Sequence, residues 1–584
     1  MKVGDPNPAK SSSAPLSKWR VGNPGPLLVF GITALLFLFF FALPIGETLS
    51  GAFRHPSGAF TLAYVEEVFR NPIYVEGLWN SFLMAILSTS LALAISLPLA
   101  FLSDRYLFPG KSLFSMLILV PMVLPPFVGA IGIKQILGQE GALNALLYAL
   151  HLASPAHPID WLGSNPLAGV VVMNALHLYP ILYLNLAAAL ANIDPAMEEA
   201  AENLGCTGLR KFRKITLPLI MPGLFAGGTI VFIWAFTELG VPLMFDYQRV
   251  TSVQIFNGLQ EIGGNPFPYA LVAVMLVTTV VLYAISKALF GRTGYGMMPK
   301  ATSQGGPRPI PPFGGWLCAA GFALIAFLAM LPHIGVVLVA FSRDWYGTIL
   351  PHGWTLDHFR AALGHDLTLP SIGNSLKYAS LATLADILLG IAIAWVVTRS
   401  KIAGRQILDA MAMLPLAVPG IVLAFGYLAM TQPGRLFGWM NPAIDPLFIL
   451  VIAYSIRRLP YVVRSAAAGF QQTSVTLEEA AQNLGCPPLR TLRKITIPLI
   501  AANLIAGGLL AFSFAMLEVS DSLILAQRQQ DFPITKAIYE LYQILGEGRF
   551  IACALGVWAM VFLAVTILGA SIVLGRKLGA IFRI

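Results

Sequence analysis

Apolar runs of bilayer length alternate with short polar breaks along this chain. A membrane-crossing helix needs roughly 20 mostly apolar residues. Twelve segments qualify: 27–49, 78–102, 113–137, 167–192, 221–246 and 269–290, then 316–341, 376–398, 406–430, 447–469, 501–526 and 550–574. Two of the polar breaks are nearly the same sequence. EEAAENLGCTGLRKFRKITLPLI at 198–220 and EEAAQNLGCPPLRTLRKITIPLI at 478–500 share 17 of 23 residues. Flanking segments align too: WNSFLMAILSTSLALAISLPLAF (79–101) with GNSLKYASLATLADILLGIAIAW (373–395), and LVPMVLPP (119–126) with MLPLAVPG (413–420). The offset is 373 − 79 = 294 there and 478 − 198 = 280 at the polar loop, so the first half carries a longer outer loop near 138–166. Each half holds six spans, an even number. The pattern therefore predicts an all-α membrane protein of about twelve transmembrane helices in two parallel six-helix repeats.

The repeated loop has its own punctuation. Asp194 before Pro195 is a capping residue followed by a first-turn proline, and Ser474 takes the capping place in the second copy. Glu198 and Glu199 sit near the positive end of the helix dipole. Gly205 and Gly485 predict a helix stop. A basic amphipathic piece follows, carrying Leu209, Phe212 and Ile215 in one copy and Leu489, Leu492 and Ile495 in the other, and runs into Pro218 and Pro498. A solvated loop touching lipid headgroups accounts for the charge and amphipathicity. It does not account for two alanines, a glycine and a proline kept at one spacing in both copies. Small side chains before a tight turn suit a helix end pressed into a partner's groove, and two copies suggest two partner subunits.

Composition agrees with the span pattern. The 584 residues are 57% hydrophobic and 11% charged, against about 25% charged in soluble domains, and the mean hydropathy is +0.74. The net charge of +9 does not point to nucleic acid, since no such motif accompanies it. Basic residues instead fall on one side of the predicted spans: Lys10, Lys18 and Arg20; Arg105 and Lys111; Arg210, Lys211, Arg213 and Lys214; Arg292, Lys300 and Arg308; Arg576, Lys577 and Arg583. That side is cytoplasmic by the positive-inside rule, and both termini lie on it. The chain divides into an N-terminal tail (1–26), a first half (27–290, loop 195–218), a Gly- and Pro-rich linker (291–315), a second half (316–575, loop 475–498) and a tail (576–584). The tail shows no convincing cleavage signal, and the run from Leu27 reads as the first span. Cys206, Cys318, Cys486 and Cys553 form no CxxC or CxxxC pair, so neither a disulfide framework nor a zinc site is indicated.

Ionisable residues within spans are functional candidates, because each costs at least ~2.5–3.5 kcal/mol to insert. Asp386 lies mid-span, as do Arg457 and Arg458. Glu238 and Glu518 occupy matching positions in the fifth span of each half, toward its outer end, with Asp521 one turn after Glu518. By the offsets, Arg457 and Arg458 match His177 and Leu178, and Asp386 matches Ala92. Two readings stay open: a structural bridge between Asp386 and Arg457 or Arg458, or a positively charged lining of a path, with Arg457, Tyr461 and Arg464 on one helical face. Arginines suit phosphate or carboxylate groups and would repel a bare cation. Prolines near 121–126 and 415–419 predict kinks in the third spans, as hinges or as packing features.

The motif EAA, three residues, Gly, nine residues, I-x-L-P fits 199–218, and the second copy fits at 479–498 with Ile497 before Pro498. This resembles the cytoplasmic EAA loop of permease subunits in binding-protein-dependent bacterial ABC importers. The fused two-half form resembles ferric-iron permeases, with relatives for thiamine, aminoalkylphosphonates and sugar phosphates. The resemblance implies the type I importer permease fold, a bacterial inner-membrane location and membrane lipid around the spans. It also implies two cytoplasmic ATP-binding subunits gripping Glu199, Ala200, Ala201 and Gly205 in one loop and Glu479, Ala480, Ala481 and Gly485 in the other, and a periplasmic binding protein delivering substrate. The substrate so implied is ferric iron, alone or with a bound anion; an anionic organic molecule or thiamine is the alternative. ATP would bind the partner subunits and no cofactor this chain. The nearest stretch to a phosphate loop, RYLFPGKS at 105–112, has Arg105 where the first glycine is required and a proline that removes an N–H. Two other classes compete. An ion-gradient-driven secondary transporter also has twelve spans in parallel halves, but gives no reason for the doubled loop. A membrane anchor gives no reason for the charges inside the spans.

Overall fold

The computed structural model describes residues 25–55, 57–123, 125–162, 166–261, 265–290 and 308–574. Both predicted tails, apart from residues 25 and 26, and linker residues 291–307 lie outside these. Among the described residues, nine helices are long and apolar enough to cross a membrane, and two sharply bent pairs bring the number to eleven. The remaining predicted span, 447–469, is also helical, within Leu447–Gln472, but carries Arg457, Arg458 and Arg464. Apart from the helices there are two short ribbons: Tyr106–Leu107 parallel to Arg308–Pro309, and Ser342–Asp344 antiparallel to His352–Trp354.

The proline clusters do more than kink. In the second half the helix pair Arg405–Leu416 and Gly420–Met430 turns by 98°, and in the first half Lys111–Met122 and Pro126–Ala149 turn by 97°. Proline lacks the N–H that would continue the helix, and the residue before it is pushed to extended backbone. Pro125, followed by Pro126, duly stands at ψ 118° just before the second arm of the first-half pair.

The fifth spans correct the sequence reading. Segments 221–246 and 501–526 are not continuous helices. They end at Phe236 and Met516 and restart at Gly240 and Ser520. The carbonyls of Glu238 and Glu518, in these breaks, accept from Ser252 Oγ at 2.5 Å and Thr535 Oγ1 at 2.7 Å. Backbone polar groups freed inside a membrane need such partners.

The halves interlock. The first span of the second half, Pro312–Phe341, crosses Pro126–Leu137 of the first half where Gly132 meets Gly335; a Cβ on Gly132 would lie 2.0 Å from the Pro332 carbonyl oxygen. Reciprocally, Gly426 in Gly420–Met430 lies against Pro44 of the first span, and Tyr427 Oη donates to Phe40 O at 2.7 Å. Small residues let helix backbones approach this closely.

Candidate functional site

The repeated loop folds the same way twice. Asp194 Oδ1 accepts from Ala196 N at 3.0 Å, and Ser474 Oγ accepts from Thr476 N at 3.3 Å. Each cap opens a short loop helix, Pro195–Asn203 or Val475–Asn483. Both helices close with the same pair of bonds. Gly205 N donates to Glu202 O and Cys206 N to Ala201 O; Gly485 N donates to Gln482 O and Cys486 N to Ala481 O. This double closure needs a left-handed residue after the helix, and Gly205 and Gly485 supply it at φ 76° and 82°.

The two loop-helix faces differ in character. Glu199, Ala200 and Ala480 are exposed and Glu479 is half-buried, whereas Ala201 and Ala481 pack inward. Leu204 and Leu484 stand out at 87% and 89% exposure beside the exposed Leu209 and Leu489, leaving an apolar patch at each loop turn. The inward face carries a buried carboxylate in each copy. Glu198 Oε1 accepts from Arg105 Nη2 at 2.7 Å and from Thr216 Oγ1 at 2.9 Å; Glu478 Oε1 accepts from Arg399 Nε at 3.1 Å. The arginines are matched residues at the ends of the second spans, since 105 + 294 = 399. Only the first loop adds an ion pair, Lys211 Nζ to Glu202 Oε1 at 2.5 Å; Thr491 and Gln482 stand there in the second. The Lys211 hydrogen bond and charge hold the Glu202 carboxyl below its ordinary range, with Arg308 and Arg105 adding to the effect.

The charges inside the spans gather in the second half. Arg457 Nη1 donates to Glu518 Oε1 at 2.5 Å and to Asp521 Oδ2 at 3.2 Å. Arg458 Nη2 donates to Glu518 Oε2, and to the Phe514 carbonyl at 3.3 Å. The bridge from Asp386 to these arginines is not formed. Asp386 is fully buried and accepts from Ser455 Oγ at 2.5 Å instead. Helix register decides this: Ser455 lies a turn before Arg458, while both oxygens of Glu518 face the guanidinium groups. Arg464 is exposed, 3.7 Å from Asp409. Glu238 Oε1 accepts from the N–H groups of Gly240 and Val241 at 3.1 and 3.3 Å, capping the short helix beyond its own break. Gly240 also packs against Val519, so the two breaks meet between the halves.

The model of the family described as "binding-protein-dependent transport system inner membrane component" matches residues 96–294 and again 386–573. This chain belongs to that family. It is a fused permease, with both copies of the domain in one polypeptide. It is 27% identical over 474 residues to the ferric transport system permease protein of Actinobacillus pleuropneumoniae, covering 78% of this chain and 64% of that one. It is 24% identical to an Fe(3+)-transport system permease protein of Haemophilus influenzae, covering 79% of this chain and 83% of that one. The molybdenum transport system permease protein of Escherichia coli K12 is 28% identical over 223 residues, 36% of this chain and 93% of that one.

Sequence reasoning missed two sets of permease residues. Glu198 read only as a dipole partner alongside Glu199, and Glu478 was not singled out, yet Glu198 and Glu478 are the buried links to Arg105 and Arg399. The matched NS pairs were also legible only as repeat. Asn80 Nδ2 donates to Arg249 O and Asn374 Nδ2 to Gln530 O, both at 2.8 Å, while Ser81 Oγ and Ser375 Oγ accept from Thr251 N and Ile534 N. Recurrence of a polar pair at the start of an apolar span was the available signal.

Proposed function

We propose that this permease carries ferric iron from a periplasmic binding protein to the cytoplasm, driven by ATP hydrolysis on two separate subunits seated on the loop helices. The observation that carries the substrate is the extent of similarity. The two proteins named for ferric transport align with 78% and 79% of the chain, across both halves, and so share its fused form; the molybdenum permease aligns over 93% of its own length but with 36% of this chain.

The electrostatics support a metal cation better than the arginines alone suggest. Arg457 and Arg458 face Glu518 and Asp521, two positive charges against two negative, and Glu238 contributes a further carboxylate at the adjoining break. The repulsion of a bare cation is thereby offset. The exposed leucines and small residues of both loops support seating of the ATPase subunits, and the one-sided basic residues support a cytoplasmic placement of loops and termini.

The test is uptake by proteoliposomes holding the permease with its ATPase subunits and periplasmic binding protein. ATP-dependent accumulation of radiolabelled iron, supplied as ferric citrate, is expected. Accumulation of molybdate, phosphonate or thiamine in place of iron overturns the substrate assignment. Uptake driven by an ion gradient without ATP overturns the class.

A further inference from the structure

Each loop helix joins the membrane through weak backbone links. In the first copy the exit passes two left-handed glycines, Gly205 and Gly208, and then a π-helical turn at Phe212–Thr216; in the second it passes Gly485 and the corresponding turn at Leu492–Thr496. A segment that turns at glycine bends readily. Side chains bypass these turns. In both copies the last-turn arginine of the second span, Arg105 in Pro72–Arg105 and Arg399 in Thr368–Arg399, reaches the buried glutamate in the first turn of the loop helix. Each charge also suits its own helix dipole, the cation at a C-terminus and the anion at an N-terminus.

The link extends further. In the first copy the oxygen that takes Arg105 also takes Thr216 Oγ1, at the foot of the fifth span. In the second, Arg399 Nη2 donates to the carbonyls of Phe470 and Thr473 at 2.9 Å each, closing the end of the fourth span. Asp386 lies thirteen residues up the helix from Arg399, about 20 Å at 1.5 Å per residue, where it bonds Ser455 beside the charge cluster. An unbroken line of packed polar contacts and rigid helix thus runs from loop to mid-membrane.

We propose that Arg105 and Arg399 are positioning residues for transport: through Glu198 and Glu478 they make each loop helix one rigid piece with its second span, so that movement imposed on the loop turns the span rather than bending the loop. The inference rests on the reading that ATPase subunits seat on these loops. The two struts are unequal. Arg399 is 8% exposed and holds three elements together, whereas Arg105 is 25% exposed and shares its charge with Asp104. The second half therefore transmits more tightly.

The experiment uses the complete transporter in proteoliposomes, with permease variants Glu198→Gln, Glu478→Gln, Arg399→Lys and the exchange Arg399→Glu with Glu478→Arg. Three quantities are read: ATPase subunits retained per permease, ATP hydrolysed, and iron transported. Glu478→Gln should retain both ATPase subunits and hydrolyse ATP, yet transport about tenfold less iron per ATP, the upper range for mutations along a coupling route. Glu198→Gln should lose less. Arg399→Lys should lose less than Glu478→Gln, and the exchange should recover part of the ratio, since the first keeps an ion pair and the second restores one. An unchanged ratio in assembled Glu478→Gln overturns the proposal. So does loss of ATPase subunits from Glu478→Gln with no recovery on exchange, which marks a merely structural link. If the unaltered permease retains no ATPase subunits, the underlying reading fails instead, and this proposal with it.

Discussion

The guanidinium of Arg457 lies against Gly420, at the elbow of the bent third span: a Cβ on Gly420 would sit 2.3 Å from Arg457 Nη1. The matched position in the first half is occupied by His177, and its Nδ1 lies 2.8 Å from the Pro121 carbonyl oxygen, at the other elbow. The fourth span therefore braces the bend in both halves, with different chemistry. Gly420→Ala must shift the guanidinium, which Glu518 and Asp521 hold in place, and overpacking of this kind costs about 1–3 kcal/mol. Gly373→Ala, with nothing within 4 Å of the added carbon, should be neutral or mildly stabilising in its helix. Unfolding in mixed micelles measures both. Equal effects would remove the elbow from the account.

The partner choice of Arg458 gives a second contrast. Glu518→Gln leaves two buried cations with one carboxylate, Asp521, and should destabilise by about 3–5 kcal/mol. Asp386→Asn keeps an oxygen to accept from Ser455 and strands no cation, so its cost should stay near one hydrogen bond, about 0.5–1.5 kcal/mol. If Asp386→Asn proves as damaging as Glu518→Gln, the ion pairing runs through Asp386 after all.

Legibility followed physical scale. Span number and loop punctuation depend on length, apolarity and local capping, all of which a sequence displays. Leu447–Gln472 was recognisable despite three arginines because its apolar length survives them. The breaks at 237–239 and 517–519 were harder to see: the residues around Leu517 include no Gly or Pro, and at the first break the signal of Gly240 and Pro242 is averaged away by the apolar window. What organises the first break is Glu238 folding back onto two N–H groups. Ion-pair partners were illegible for another reason. Charge is written in the sequence, but which carboxylate faces Arg458 depends on how three helices register against one another. Glu198 shows the same limit: its neighbour Glu199 looks identical in sequence, and only helix rotation buries one and exposes the other.

The extra ion pair of the first loop predicts an acid response confined to that loop. The Lys211 hydrogen bond and charge hold the Glu202 carboxyl below its ordinary value. A group whose folded pKa is lowered contributes stability above its unfolded pKa and loses it as pH falls through the folded value. Wild type and Glu202→Gln should differ at neutral pH and converge in acid, below the ordinary carboxylate range. Thiol reactivity of Cys206 beside the turn reads the difference, with Cys486 as internal control because Gln482 does not titrate. Parallel pH dependence at both cysteines would exclude the Glu202–Lys211 pair as the cause.

The loop turns should answer substitution in a graded way. Gly205 and Gly485 both have positive φ and both have open space where a Cβ would go, so alanine meets backbone strain alone, about 1–2 kcal/mol. Aspartate adds a negative charge to an already negative helix end and should do more damage. The flanking sequence then separates the copies. Thr207 and Gly208 follow the first turn, and Gly208 is itself left-handed at φ 56°; Pro487 and Pro488 follow the second. Proline fixes φ near −65° and cannot share an adjustment made upstream. Gly485→Asp should therefore impair transport more than Gly205→Asp at equal membrane expression, with binding-protein docking intact in both. The measurement is iron uptake per assembled complex, set against the number of ATPase subunits retained. Equal and normal uptake by both variants would mean that the turn geometry, repeated so closely in the two loops, does not serve the seating of the ATPase subunits.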